Sequence, residues 1–202
     1  MNKLIYLSNS ILFSRKANSI QVIKMCNALS KHLDVSLYSY KLNSKLSLDD
    51  FYGIKSNFKT VEYFFNVNSF LKNLNPIIVL IKILSRKKSI VVFSRNRIGS
   101  FFGVLFKFNL IYEIHNIPRG KINTTIESLI LKSKFTKNII FISDALREYY
   151  QNSDLLIKDQ NNSIVLHDAA DYRSKPIKNK NKIEIGYVGH LYKGRGIELI
   201  LK

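Results

Sequence analysis

The chain has 202 residues, 46% of them hydrophobic, and a net charge of +18 from 32 Lys and Arg against 14 Asp and Glu. That apolar share excludes a largely disordered chain and is ample for one packed domain with residues left over. Cys26 is the only cysteine, which excludes an internal disulfide and any cysteine-based metal site.

In chain order, the strand candidates are Lys3–Leu7, Val35–Tyr38, Val61–Phe64, Ile90–Phe93, Leu110–Ile114, Asn138–Ile142, Ile164–Leu166 and Ile183–Val188. Most are too uniformly apolar to have one wet face, so they read as strands covered on both sides, as in a parallel sheet. The first helix is marked by Val22, Met25, Cys26, Leu29 and Leu33 on one face. Asn18 or Ser19 is placed to cap its start. A second helix is expected to open with Asn75 as cap and Pro76 at its first position. Further helices are expected over 98–107, 122–133 and 144–151, the last capped by Ser143. Strands separated by helices imply right-handed crossovers and an α/β, doubly wound, mainly parallel Rossmann-like sheet.

Residues 172–182 (YRSKPIKNKNK) are polar and basic, and they read as a linker. The expected organisation is therefore a Rossmann-like domain over 1–171, this linker, and the first strand–loop–helix of an incomplete second domain over 183–202. A lone strand–helix unit cannot bury its own apolar faces.

In open α/β sheets, ligands bind beyond the carboxyl ends of the strands. The residues there are Ser8 to Ser10, Ser94 to Arg97, His115 and Asn116, Ser143 and Asp144, His167 and Asp168, and His190. Three histidines at such positions do not make a zinc site, because none pairs at short ligand spacing; no metal is expected. There is neither a Walker phosphate loop nor a nucleophile elbow. Glu113, inside a strand, reads as a paired structural acid.

Four segments in order resemble the retaining glycosyltransferases of family 4, which have two Rossmann-like domains in the GT-B arrangement. They are ANSIQVIKMCNALSKHLDVSLYS (17–39), IYEIHNIPRG (111–120), IIFISDALREYY (139–150), and the stretch from IVLHDAADYRSKP through IGYVGHLYKGRGIELI (164–200). The resemblance implies an N-terminal acceptor domain followed by the start of a donor domain. It implies transfer of a sugar from a nucleotide diphosphate sugar to a sugar or lipid-linked acceptor in glycan, polysaccharide or glycolipid synthesis, with no other cofactor. It places His115 near the reacting sugar as the catalytic candidate. Gly189, His190, Lys193, Arg195 and Gly196 match the donor-phosphate loop; charge there, with backbone amides at a helix start, would meet the departing diphosphate. The acceptor side is expected to use Asn18, Ser19, Arg95, Asn116 and Arg119, with Arg97 flanking the same crevice. The chain departs from the family in three ways. Its opening loop SILFSRKANS has no glycine, His190 stands where an Arg is usual, and the paired glutamates of the donor domain are absent. The isolated chain is therefore expected to be a fragment form, inactive alone or dependent on a separate donor-domain chain.

The charge admits a competing reading, a basic nucleic-acid-binding or partner-subunit domain without catalysis. Its basic residues are dispersed and no zinc finger, RNA-recognition aromatic motif or clear helix-turn-helix appears, so no nucleic acid is expected. An anionic membrane surface is the remaining class of partner, with Lys82, Arg86, Lys87 and Lys88 around an apolar helix. The opening MNKLIYLSNS does not read as a signal peptide, and no run reaches the roughly 18 apolar residues of a span. A cytoplasmic location is expected, peripheral on the inner face of the membrane.

Overall fold

Seven parallel strands in the order β3-β2-β1-β4-β5-β6-β7 form one sheet in the computed structural model, which describes residues 3–153, 155 and 162–167. The strands are β1 (Lys3–Leu12), β2 (Asp34–Lys41), β3 (Lys59–Glu62), β4 (Ile90–Ser94), β5 (Asn109–Ile114), β6 (Thr136–Phe141) and β7 (Ser163–Val165). Between them run the helices α1 (Ala17–Leu29), α2 (Leu48–Tyr52), α3 (Asn75–Ile83), α4 (Arg97–Leu105), α5 (Lys121–Leu131) and α6 (Asp144–Asn152). Residues Met1–Asp168 form one unit. The linker and the final strand–loop–helix expected over 172–202 lie outside the described residues.

The apolar alternation of β1 explains the layering. Ile5 and Leu7 face a core completed by Val79 and Leu80 of α3 and Ile130 and Leu131 of α5. Leu4 and Tyr6 face the opposite core, with Val22, Ile23 and Cys26 of α1. Each such aliphatic side chain taken out of water contributes about 1.5–3 kcal/mol. Tyr6 stacks on Phe93 of β4 with ring centroids 4.7 Å apart, tying the two central strands together across their second face.

Three local expectations are corrected. Helix α1 begins at Ala17 with Lys16 as an N-cap that makes no side-chain cap bond, so Asn18 and Ser19 lie inside the first turn. The Ser19 hydroxyl instead donates to the carbonyl of Ile11 at 2.8 Å. Helix α3 is preceded by Leu74 rather than capped by Asn75. The Asn75 amide is spent on the chain at Phe65, accepting from its N–H at 2.8 Å and donating to its C=O at 2.7 Å. The first strand continues to Leu12, with its register broken between Leu7 and Ile11. Ser143 does cap α6, its hydroxyl accepting from Leu146 N–H.

The glycine-free loop after β1 turns at Phe13, which adopts φ +59°. A left-handed conformation costs an L-residue about 1–2 kcal/mol, so neighbours must hold it. Phe51 meets the Phe13 ring edge-on at 5.5 Å and the Lys41 ammonium sits 5.3 Å from its centroid. The Tyr52 hydroxyl accepts from Ser14 N–H and donates to Ser14 C=O, both at 3.3 Å. Helix α2, which sequence periodicity did not reveal, is the strut that fixes this loop.

Candidate functional site

Strands β1 and β4 are neighbours in the sheet, yet the chain leaves them toward opposite edges: β1 leads to β2, β4 to β5. This reversal opens a crevice at their carboxyl ends, and the two ends are bridged across it. Ser94 closes a tight turn with Asn96, its hydroxyl accepting from Asn96 N–H at 3.1 Å and donating to Asn96 C=O at 3.0 Å. The Asn96 amide oxygen then caps α4 at Gly99 N–H, 3.0 Å away, while its amide nitrogen donates to Asn9 Oδ1 at 2.7 Å. One asparagine thus joins the end of β1, the end of β4 and the start of α4.

A cleft of about 900 Å³ lies over these strand ends. Arg95, Arg97, Asn116 and Arg119 line it with His115. Asn18 lines a smaller adjoining recess of about 180 Å³ that shares Arg95, His115 and Asn116. Ser19 lines neither; it is fully buried and its hydroxyl is already bonded. Arg95, His115, Asn116 and Arg119 are therefore brought together and Asn18 is next to them. Gly189, His190, Lys193, Arg195 and Gly196 lie outside the described residues.

The histidine is clamped. Its Nε2 is 2.6 Å from Oε1 of Glu113, and its Nδ1 is 3.0 Å from Nη2 of Arg95. A guanidinium can only donate. Nδ1 is therefore the acceptor, and Nε2 carries the proton that is donated to Glu113. The clamp is itself supported. Arg95 Nη1 donates to Gln21 Oε1 at 3.2 Å, Arg95 Nε stands 4.0 Å from Glu113, and the Tyr6 hydroxyl reaches Glu113 Oε2 at 3.5 Å. Glu113 is 3% exposed, so this carboxylate persists away from water only because these donors surround it. Burial and the neighbouring Glu113 charge, in that order, push the Tyr6 phenol far above its ordinary pKa.

Beneath the cleft floor lies a second buried carboxylate. Glu127 of α5 is fully buried and pairs with the Nε of Arg97. It also accepts from the hydroxyls of Tyr112, at 3.0 Å, and Tyr150, at 2.9 Å. Burial works against the Arg97 charge, but hydrogen bonding to Glu127 and its charge outweigh this and raise the Arg97 pKa. Burial, then the Glu127 charge, raise the pKa values of Tyr112 and Tyr150 beyond the range in which tyrosine normally ionises. Tyr150 also donates to the carbonyl of Asn116 at 3.2 Å, which links the network to the cleft rim.

Reading strand ends found Asn9, Arg95, Asn96 and His115, but not Gln21, the Asn9–Asn96 bridge or the clamp. The signal for the clamp was present in the E-x-H spacing. Alternate residues of an extended segment point the same way, so Glu113 and His115 share a side. Among the described residues, no three His, Cys, Asp or Glu side chains gather to hold a metal ion. None of their helices is long and apolar enough to cross a membrane.

Comparison with solved structures shows what the fold resembles. Anabaena HepE, crystallised with UDP and glucose, matches with a TM-score of 0.54 and 13% identity over 85% of this chain and 45% of its own. The lipopolysaccharide outer core galactosyltransferase WaaB matches with a TM-score of 0.54 and 13% identity, over 88% of this chain and 50% of its own. A UDP-N-acetylglucosamine 2-epimerase matches with a TM-score of 0.53 and 11% identity, over 81% of this chain and 47% of its own. The fold is that of one Rossmann-like half of a GT-B enzyme. The chain spans about half the length of these GT-B structures. No family model and no curated protein matches the sequence.

Proposed function

We propose that this domain forms the acceptor side of a GT-B glycosyltransferase of the family 4, retaining type, which moves a sugar from a nucleotide diphosphate donor to an acceptor hydroxyl. The observation that carries the reading is His115, held by Glu113 and Arg95 in an open cleft at the crevice where sheet direction reverses. An acceptor hydroxyl that displaces the Arg95 guanidinium meets Nδ1 with its lone pair free. Glu113 at Nε2 then stabilises positive charge on the ring as the hydroxyl is polarised. The displaced Arg95 stays beside the reacting centre as a donor to developing negative charge. A nucleotide diphosphate sugar as donor accords with HepE, crystallised with UDP-glucose. In this proposal the segment with His190, Lys193 and Arg195 meets its diphosphate.

The test is sugar transfer by a protein that joins this domain to a complete donor half. His115→Ala is expected to lower turnover by about a hundredfold or more with the circular dichroism spectrum unchanged. Near-normal turnover would remove His115 from the chemistry. The epimerase match gives the second arm, UDP-N-acetylglucosamine without acceptor. Its conversion to the 2-epimer would replace transfer by epimerisation as the function.

A further inference from the structure

We propose that the surface formed by the 3-10 turn at Phe70–Leu74 together with α3 is a docking face for an anionic lipid bilayer. Between Glu62 and Glu113 the sequence contains no acidic residue. Within this stretch the structure turns large apolar side chains outward: Phe70 is 96% exposed and Phe64 76%. Leu74 and Ile81 are also exposed. They stand seven residues apart, two helical turns, and so project from one side of the helix, with half-buried Ile78 between them. Exposed Lys72 precedes this helix, Lys82 lies on it, and exposed Arg86 and Lys88 follow it. An apolar strip with cations beside it, drawn from a stretch that holds no acidic residue, matches a lipid headgroup layer in its apolar character and its charge. A protein partner, by contrast, would have to present a continuous acidic rim.

The placement bears on the cleft. Asn73, in the middle of the 3-10 turn, lines the cleft, while its neighbours Lys72 and Leu74 are exposed. The docking face thus begins at the cleft mouth and runs away from it along α3. An acceptor anchored in the bilayer would enter beside Asn73. This consequence rests on the transferase reading, but bilayer binding itself does not require it.

The experiment is co-sedimentation of the 202-residue chain with vesicles of phosphatidylcholine alone or mixed with phosphatidylglycerol, at low and physiological salt. Expected is binding to the mixed vesicles only, weakened by salt. Reversal of charge in Lys82→Glu/Arg86→Glu/Lys88→Glu is expected to weaken it at least about tenfold. The matched triple Lys132→Glu/Lys134→Glu/Lys137→Glu, which falls at the end of α5 and the start of β6, is expected to weaken it far less. Phe70→Ser/Ile81→Ser, which alters only exposed side chains, is expected to reduce binding with no change of net charge. Equal binding to both vesicle types, or equal loss in the two charge triples, would overturn the proposal. So would a concentration-dependent dimer, in sedimentation of the free chain, that Phe70→Ser/Ile81→Ser abolishes. None of these readouts involves sugar transfer, so failure of the transferase reading leaves the result intact.

Discussion

Two buried carboxylates, Glu113 and Glu127, do different work. Glu113 faces the cleft and sets the orientation of a neighbouring ring, whereas Glu127 holds structure together. Its oxygens receive one guanidinium and two phenols, Tyr112 reaching both oxygens, and the side chain is closed off from water. Replacing one member of a buried ion pair leaves the other uncompensated and typically costs 3–5 kcal/mol. Arg97 is still 26% exposed on its side chain, which lowers that figure. Glu127→Gln is therefore expected to lower stability by about 3 kcal/mol, read as a reduced urea midpoint at unchanged slope. Little in the sequence marks this residue. A Glu within KINTTIESLILK looks like any solvated helical acid, and only the arrival of Tyr112 and Tyr150 from other elements makes its position buried. Glu113, by contrast, announces its burial through the apolar residues around it and its pairing through His115 two places on.

At the level of elements, the close approach of α3 to α4 depends on a missing side chain. A Cβ placed on Gly99 would meet the Pro76 ring at 3.1 Å and Leu7 Cδ1 at 3.3 Å. Leu7 can shift, but the Pro76 ring, fixed in the first turn of α3, cannot. Gly99→Val is expected to destabilise the domain by about 1–3 kcal/mol through overpacking, checked by thermal denaturation. Because α4 carries Arg97 and begins at the Asn96 bridge, the same change is expected to disturb the cleft. The central strands were legible because both faces are covered, so apolar runs mark them; β2, β4 and β5 fall within three residues of expectation at each end, while the largely exposed edge strand β3 lies two residues earlier than expected. The helix starts were misplaced for a common physical reason. Asn75 and Ser19 have the chemistry of caps, but tertiary partners, the Phe65 backbone and the Ile11 carbonyl, claimed their side chains. The short α2 has too few residues to show a period.

For the molecule as a whole, the buried tyrosines define its response to alkali. Burial is the largest cause raising the phenol pKa values of Tyr6, Tyr63, Tyr112 and Tyr150 in the folded state. In the unfolded chain they ionise near pH 10. A pKa raised on folding contributes stability that is complete below the unfolded value and is lost as pH rises through the folded one. Stability from these groups is therefore expected to be flat up to about pH 10 and to fall steadily above it, with the phenolate absorbance of these four tyrosines rising only as the protein unfolds. Ionisation of all tyrosines near pH 10 in the still-folded protein would contradict the buried network. The sheet order has a further consequence, in time rather than in space. β1 is central because it pairs both with β2, formed from nearby sequence, and with β4, where Lys3 meets Ile90. During synthesis at about 5–20 residues per second, β1 and β2 emerge and can pair several seconds before β4 exists. Through that interval one edge of β1 stays unpaired and apolar, the kind of edge on which chains join wrongly. The Asn9–Asn96 bridge cannot form until that edge is closed, so the floor of the crevice is laid in the step that ends this exposure, and Glu113 and His115 join it afterwards with β5.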